Sequence, residues 1–230
     1  MRVVVLTGAG VSAESGLPTF RDADGLWEGH HVEEVATPEA FERQPELVHR
    51  FYDERRRALA RVEPNPAHRA LARLEAALGD NLTVITQNID DLHERAGSRR
   101  VLHMHGRLRS ALCARCGART PWVDDLAPRP PCPGCGERAL RPDVVWFGEV
   151  PHGMGEIEEA LGTAEVFASI GTSALVYPAA GFVRLARMFG ARTLELNLVR
   201  SAAASVFDQV REGPASLLVP EWVDSLLRRH

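Results

Sequence analysis

Four cysteines stand in two tight pairs, Cys113-x2-Cys116 and Cys132-x2-Cys135, fifteen residues apart. A two-residue gap lets both thiolates of a pair reach one ion. Gly117, Gly134 and Gly136 beside the pairs permit the turns that aim backbone amides at sulfur. Four sulfurs leave no open coordination position, so the pattern predicts one structural zinc ion, not a catalytic one. Two disulfides or free buried thiols are the alternatives. A second pattern, Gly8-Ala9-Gly10-Val11-Ser12-Ala13, follows an apolar run at the N-terminus. It fits G-x-G-x-x-(G/A), the turn that brings backbone amides to a pyrophosphate. A plain strand-to-helix turn would read the same way. The acidic residue that usually follows about twenty positions on, for the ribose, has no clear counterpart. Asp22, Asp24 and Glu28 are near but sit in no obvious second strand, which argues against an ordinary dehydrogenase.

The glycine turn continues as Gly8-Ala9-Gly10-Val11-Ser12-Ala13-Glu14-Ser15-Gly16-Leu17-Pro18-Thr19-Phe20-Arg21, a long GAGxSxxSGxPxFR string. Further strings follow in order: Thr86-Gln87-Asn88-Ile89-Asp90, His103-Met104-His105-Gly106, the cysteine quartet, Val144-Val145-Trp146-Phe147-Gly148-Glu149, Gly171-Thr172-Ser173 and Asn197-Leu198. Together they resemble the sirtuin family over residues 3 to about 215. The resemblance implies a Rossmann-like domain, a smaller zinc-and-helix domain, and NAD and an acylated lysine meeting in the cleft between them. It implies an NAD-dependent protein-lysine deacylase, with NAD consumed as co-substrate and nicotinamide, O-acyl-ADP-ribose and free lysine as products.

The resemblance also assigns roles. His105 matches the general base that activates a ribose hydroxyl, and an ordinary imidazole pKa of roughly 6.5 suits that task. A lone histidine would more often only hydrogen-bond in a core. His103, two residues away on a strand, should face elsewhere and be structural. Asn88 and Asp90 match residues at the nicotinamide and ribose end, with Gln87 supporting the ribose and Ile89 in the same string. Asp90 alone would read as a helix N-cap before Asp91-Leu92-His93. Gly8, Ala9, Gly10, Ser12, Phe20 and Arg21 match the nicotinamide and phosphate region, Phe20 as a shield against water. Gly171, Thr172, Ser173, Asn197, Leu198 and Ala215 match the adenosine half. Val144, Val145, Phe147 and Gly148, with the Val176–Gly181 region, match edges that hold a peptide as an added strand.

Tyr52 and Arg55, three apart on an expected helix, share a face. They resemble the Tyr-x-x-Arg pair of the sirtuin subgroup that removes succinyl, malonyl and glutaryl groups, and Ala36 matches the small residue that leaves room for a longer chain. A guanidinium and a phenol can hold a carboxylate by charge-assisted hydrogen bonds. The plain alternative is a solvated charged face, because Asp53, Glu54, Arg56 and Arg57 surround the pair. Two other functions remain compatible with these strings: a protein mono-ADP-ribosyltransferase, and a non-catalytic NAD-sensing regulator with a zinc ribbon.

Elements must position these groups. Arg2–Thr7, Leu82–Thr86, Val101–Met104, Val144–Phe147, Val166–Ile170 and Thr193–Leu198 read as short buried strands. Helices are expected over Pro38 to Gly79, with Thr37-Pro38 and Asn65-Pro66 marking starts, and over Met154–Leu161, Phe182–Phe189 and Pro214–Arg229, the last interrupted near Pro220. Strands alternating with helices predict an α/β fold with a parallel sheet covered on both faces. The expected division is a Rossmann-like NAD-binding domain (1–30, 80–109 and 142–230) with a helical module (31–79) and a zinc-binding module (110–141) forming the small domain. Of 230 residues, 45% are apolar and 25% charged, enough for a sizeable core. The net charge of −4 argues against nucleic acid as the main partner. The uncharged stretch Val166–Val183 carries Ser169, Gly171, Thr172, Ser173, Pro178 and Gly181, so a strand, turn and helix explain it better than a membrane span. The start lacks a cleavage pattern, and paired cysteines without one predict a reducing cytoplasm.

Overall fold

The computed structural model describes residues 1–19, 27 and 29–228. Nine strands are described: β1 (Val3–Thr7), β2 (Leu82–Thr86), β3 (Val101–His103), β4 (Gly106–Cys113), β5 (Arg119–Pro121), β6 (Leu140–Val144), β7 (Val166–Ile170), β8 (Arg192–Asn197) and β9 (Gln209–Glu212). Six of them form one parallel sheet in the order β3-β2-β1-β7-β8-β9. The described helices are α1 (Ala9–Ala13), α2 (Val32–Val35), α3 (Pro38–Arg43), α4 (Pro45–Leu59), α5 (Pro66–Leu78), α6 (Leu92–Arg95), α7 (Met154–Thr163), α8 (Phe182–Met188) and α9 (Ala215–Leu227).

The central strand β1 is buried at every position, as its VVVLT sequence requires of a strand covered on both faces. Alternate residues serve opposite layers. Val3 and Val5 pack with Leu71 and Leu74 of α5 and Val219 and Val223 of α9. Val4 and Leu6 pack with Ile157 and Leu161 of α7 and Phe182, Val183 and Ala186 of α8. Full burial of side chains this size stabilises by about 1.5–3 kcal/mol each, so β1 is a central stabilising element. The strand order reverses direction between β1 and β7, and in such sheets a crevice opens beyond the strand ends at that point.

The three remaining strands form an antiparallel sheet, β5-β4-β6, whose β4–β6 register shifts between Arg107 and Ala111. This corrects the strand expected at Val144–Phe147. The strand ends at Val144, starts at Leu140, and belongs to the small sheet. Its LRPDV sequence hides it, because Arg141 and Asp143 are buried through ion pairs instead of apolar contact. The C-terminal helix is likewise continuous through Pro220. The capping expectations hold: Thr37 Oγ1 accepts from Ala40 N at 3.1 Å and Asn65 Oδ1 from Ala67 N at 2.9 Å. The stretch Val166–Val183 folds as a strand, a turn region and the start of a helix, and among the described residues no helix is long and apolar enough to cross a membrane.

Candidate active site

Helix α4 carries Tyr52, Arg55 and Leu59 at helical spacing, and this buried face turns toward the crevice. Across from it, the loops after β1, β2, β7 and β8 converge. Gly171 has φ +62°, and a Cβ there would lie 2.4 Å from Val11 N. A Cβ on Gly10 would lie 2.7 Å from Gly171 Cα. Only glycines allow the two loops to cross at this distance. The crossing is fastened by Gly8 N donating to Ile170 O at 3.0 Å and Gly10 N to Gly171 O at 2.8 Å. Those two amides are therefore engaged within the protein, and the G-x-G turn works here first as a backbone crossing.

The resulting cleft has a volume of about 740 Å³. It gathers Gly8, Ala9, Gly10, Ser12, Gln87, Asn88, Ile89, Asp90, His105, Gly171, Thr172, Ser173, Asn197, Leu198 and Ala215. Ala36, Tyr52, Arg55, Val144, Val145, Phe147 and Gly148 line the same space. Phe20 and Arg21 lie outside the described residues, as do Asp22, Asp24 and Glu28. Sequence reasoning did not single out Trp27, Leu108 or Pro151, which also line the cleft. Nothing in their local sequence distinguishes them from core or loop residues; only the fold brings them there.

His105 follows β3 and precedes β4. Its Nδ1 donates to Gln87 O at 3.0 Å, which leaves Nε2 without its proton and free to accept one. Burial is the largest influence on its pKa, pushing it below the ordinary 6.5, and the nearby His152 acts in the same direction against the Gln87 bond. The ring therefore stays neutral, as a base must, at near-neutral pH. Gly106, with φ +86°, lets β4 leave directly behind His105 where a Cβ would meet Asp143 O at 2.2 Å. His103 faces away, between Asn88 O at 3.1 Å and Glu94 Oε1 at 2.7 Å, as the strand alternation predicts.

Asn88 is held through both ends. Its backbone N donates to Thr86 Oγ1 at 3.0 Å, and its Nδ2 to Gly8 O and Ser12 Oγ at 3.1 Å each. The side-chain donors are thus taken, and the amide oxygen is the group left to meet a ligand. Asp90 accepts from Leu92 N at 3.1 Å and from Ser12 Oγ at 2.9 Å. The first bond is the helix-start role expected of it, although Asp91 occupies the cap position of α6. Burial raises the Asp90 pKa against those two hydrogen bonds. Gln87 Nε2 donates to Thr172 Oγ1 at 3.0 Å, and Asn197 Nδ2 to Thr172 O at 2.8 Å, so three loops are tied at Thr172.

At the opposite end, Tyr52 is fully buried and Arg55 nearly so. The Arg55 guanidinium lies over Phe51, 3.1 Å from the ring centroid, and 5.1 Å from that of Trp27. Of the four neighbouring charges, Glu54 and Arg57 are exposed, but Asp53 and Arg56 are not part of a solvated face. Asp53 and Arg56 are 1% and 2% exposed and paired at 2.7 Å. Asp53 accepts from Leu126 N and Ala127 N at 2.8 and 2.9 Å, fastening α4 to the cysteine-bearing segment. Along the strip from Val144, Val145 N donates to His105 O at 2.9 Å, Trp146 N to Glu149 Oε2 at 2.8 Å, and Phe147 N to Ala36 O at 3.0 Å. These donors are engaged, and Val144 O and Trp146 O accept from Arg141 Nη2 at 2.7 Å and Glu149 N at 3.0 Å, so most of the strip's backbone polar groups are already used within the protein.

The four cysteine sulfurs all lie within 4.8 Å of one another, with Cys113–Cys135 at 3.7 Å and Cys116–Cys132 at 3.9 Å. None is in a disulfide. A tetrahedron built on Zn–S bonds of about 2.3 Å has edges of about 3.8 Å, so the cluster fits one four-sulfur zinc ion. Each pair sits in a tight turn, with Gly117 N donating to Cys113 O at 2.9 Å and Gly136 N to Cys132 O at 2.8 Å. Such a closed site supplies structure, holding β4 and β6 at the back of the cleft.

Comparison with known proteins agrees with this geometry. The Sir2 family model matches residues 8–178. The chain is 56% identical over 230 residues to a protein of Salmonella typhimurium (strain LT2) named NAD-dependent protein deacylase, covering 99% of this chain and 84% of that one. It is 58% identical over 228 residues to the NAD-dependent protein deacylase of Yersinia pseudotuberculosis, covering 98% and 82%. A solved Sir2 homolog–NAD complex superposes with a TM-score of 0.90 at 40% identity, covering 99% of this chain and 90% of that one. A Sir2 variant solved with a deacetylated p53 peptide and 3′-O-acetyl ADP-ribose superposes at 0.83 with 30% identity, covering 99% and 93%.

Proposed function

The chain belongs to the Sir2 family, and from that premise we propose how its cleft works as an NAD-dependent protein deacylase and which acyl groups it prefers. The observation that carries the reading is the single cleft holding His105, with its free Nε2, beside Asn88 and Asp90, and Tyr52 with Arg55 at the far end. NAD is the co-substrate and the four cysteines form a site for one zinc ion.

In this reading the glycine crossing and the Gly171-Thr172-Ser173 loop, with Asn197, Leu198 and Ala215, hold the adenosine half of NAD. Ala9, Ser12, Gln87, Asn88, Ile89 and Asp90 surround the nicotinamide ribose. Nicotinamide leaves as the acyl oxygen of the substrate lysine bonds to the ribose carbon. His105 Nε2 then takes the proton of a ribose hydroxyl, which attacks the acyl carbon. Water completes release of free lysine and O-acyl-ADP-ribose. Val144, Val145, Phe147 and Gly148 receive the peptide, and Ala36 gives space beyond the acyl carbonyl.

Tyr52 and Arg55 make this end of the cleft selective for acidic acyl groups such as succinyl and malonyl, with acetyl also accepted. A buried guanidinium and phenol offer a carboxylate charge-assisted hydrogen bonds that a methyl group cannot use. The parallel sheet with the helices packed on it, α5 among them, acts as the NAD-binding domain, and α2–α4 with the β5-β4-β6 sheet and its cysteines act as the small domain that closes the cleft. The working compartment is the cytoplasm, where thiols stay reduced and available for zinc.

Purified protein incubated with matched succinyl-lysine and acetyl-lysine peptides, with and without NAD, tests this by mass. NAD-dependent loss of succinyl, with nicotinamide and O-succinyl-ADP-ribose appearing, is the expected result. Loss of acetyl alone would remove the role given to Tyr52 and Arg55. ADP-ribosylated protein without deacylation, or NAD binding without nicotinamide release, would replace the reading with a transferase or a silent binder.

A further inference from the structure

Strand β8 carries one buried acidic side chain that the proposed reaction does not use. Glu195 is 1% exposed. It lies in register with Ser169 of β7 and Val210 of β9. Partners in register share a face, and Ser169 is level with Leu6 of β1, so Glu195 points to the α7 and α8 side of the sheet. That layer is apolar, with Phe167, Ala186 and Phe207 in it. A valine or leucine would suit the place, whereas a buried carboxyl must be matched by hydrogen bonds. Glu195 Oε2 has no such partner among the described residues. Burial here works against stability, so the reason for the residue lies in what Oε1 holds.

Glu195 Oε1 accepts from Ser201 N at 2.8 Å, and Asn197 Nδ2 is a second donor at 3.4 Å. The first bond closes the turn after β8 from within, tying the far end of the loop to a side chain of the strand it left. Ser173 O accepts from Ala202 N at 3.3 Å, which extends the tie to the loop after β7. Leu198 and Val199, between the two ends, line the cleft, yet both are exposed. Side chains this exposed gain little hold from packing, so the bonds at the base of the loop place them. Asn197 is fixed by the same group. Thr172 O, which can only accept, takes Nδ2 at 2.8 Å, and Glu195 Oε1 draws that same end of the amide inward. Asn197 Oδ1 is thereby turned outward, where it accepts from Leu198 N at 3.1 Å and keeps a second lone pair for a ligand hydroxyl.

We propose that Glu195 is a positioning residue for the adenosine half of NAD, holding the turn from Asn197 to Ser201 in its binding shape through Oε1. The inference rests on the reading of Asn197 and Leu198 as adenosine residues. Glu195 does not itself line the cleft. It acts on affinity for NAD and not on the chemical step, because adenosine lies at the end of the dinucleotide remote from the bond that breaks, and contacts there are equal in the ground and transition states.

The test compares Glu195→Gln with Glu195→Met. Gln keeps an oxygen for Ser201 N, and Met has similar reach with no such acceptor. Thermal melts would confirm that each folds. Calorimetric binding of ADP-ribose should weaken about tenfold in Glu195→Met, the size of one lost buried hydrogen bond, and KM for NAD should rise alongside. The kcat at saturating NAD, KM for the acyl-peptide and the inhibition constant of nicotinamide should stay within about twofold of wild type, since lost uniform binding changes KM alone. Glu195→Gln should bind ADP-ribose like the wild type. A general loosening of the fold would move the nicotinamide and peptide constants as well. Amide exchange on the wild type needs no variant: Ser201 should exchange slowly and Val199, in the same loop, fast. Unchanged ADP-ribose affinity in Glu195→Met, equal losses in the Met and Gln variants, parallel loss of nicotinamide or peptide binding, or Ser201 exchange as fast as that of Val199 would overturn the proposal. Failure of the wild type to bind ADP-ribose at all would instead overturn the placing of adenosine at Asn197.

Discussion

Trp146 Nε1 donates to the Tyr52 hydroxyl oxygen at 3.0 Å. Indole nitrogen has no other role than donor, so the Tyr52 oxygen is the acceptor and its own proton remains available to a partner in the cleft. Burial keeps that phenol protonated by holding its pKa above the ordinary 10, against the Trp146 bond. The indole is itself fixed: the Arg141 guanidinium lies 3.5 Å from its ring centroid and pairs with both oxygens of Glu149 at 2.7 and 3.0 Å. The Tyr52 and Arg55 end of the cleft thus presents a phenol donor with a preset direction.

Trp146→Phe removes the donor and lets the Tyr52 hydroxyl turn. KM for a succinyl-lysine peptide should rise roughly tenfold, the size of one hydrogen bond to a charged group, while KM for an acetyl-lysine peptide changes little. An unchanged succinyl-to-acetyl ratio of kcat/KM would show that the phenol direction does not select the acyl group.

His105→Asn should lower deacylation by about 100-fold or more, because the amide cannot take a ribose proton. NAD binding and zinc content should persist. In the wild type the acidic limb of the kcat/KM profile should fall below pH 6.5, since burial lowers the His105 pKa. A limb centred above 6.5 would point to another group.

Asp53 and Arg56 form a buried pair joining α4 to the segment at Leu126. Asp53→Ala leaves the guanidinium buried without its carboxylate and should cost about 3–5 kcal/mol in urea unfolding. Replacing both with apolar residues of similar volume should recover only part of it, because Leu126 N, Ala127 N and Leu108 O then lose their side-chain partners. A loss below about 1 kcal/mol for Asp53→Ala would mean that water reaches Arg56.

Chelation should remove one zinc ion per chain and lower the melting temperature, because the two cysteine turns are held by sulfur and short turn bonds. Deacylation should fall with the zinc content, since β4 starts beside His105 and ends at Cys113. Full activity in zinc-free protein would separate the metal site from the cleft.

Three buried histidines should make the fold acid-sensitive. Burial, the largest influence at each, lowers the pKa to about 4 at His49 and His68 and about 3 at His93, from 6.5. Between those values and 6.5 the unfolded chain binds more protons, so stability rises with pH there. Each histidine contributes up to roughly 1.4 kcal/mol per pH unit, present in full above 6.5 and lost as pH falls toward 4. Flat urea midpoints from pH 7 to 4.5 would contradict this.

Sequence by itself determined the features that follow from local chemistry. Short β-branched runs specify β1, β2 and β7 because a strand buried on both faces needs continuous apolar residues. Cap residues before proline place α3 and α5. The cysteine spacing specifies a four-sulfur cluster because two-residue turns admit few other uses. The ordered strings around Asn88 and His105 pointed to one site. Tertiary structure alone decided what depends on partners distant in sequence. β6 is invisible locally because Arg141 and Asp143 are buried by pairing with Glu149 and Arg119, and β9 because its QVRE edge is largely exposed. Asp53 and Arg56 read as surface charges until Leu108, Leu126 and Ala127 supply their partners. The tautomers of His105 and His68 are set by Gln87 and Asn65 only once the chain is folded, because a ring nitrogen takes its proton according to the acceptor or donor it meets in space.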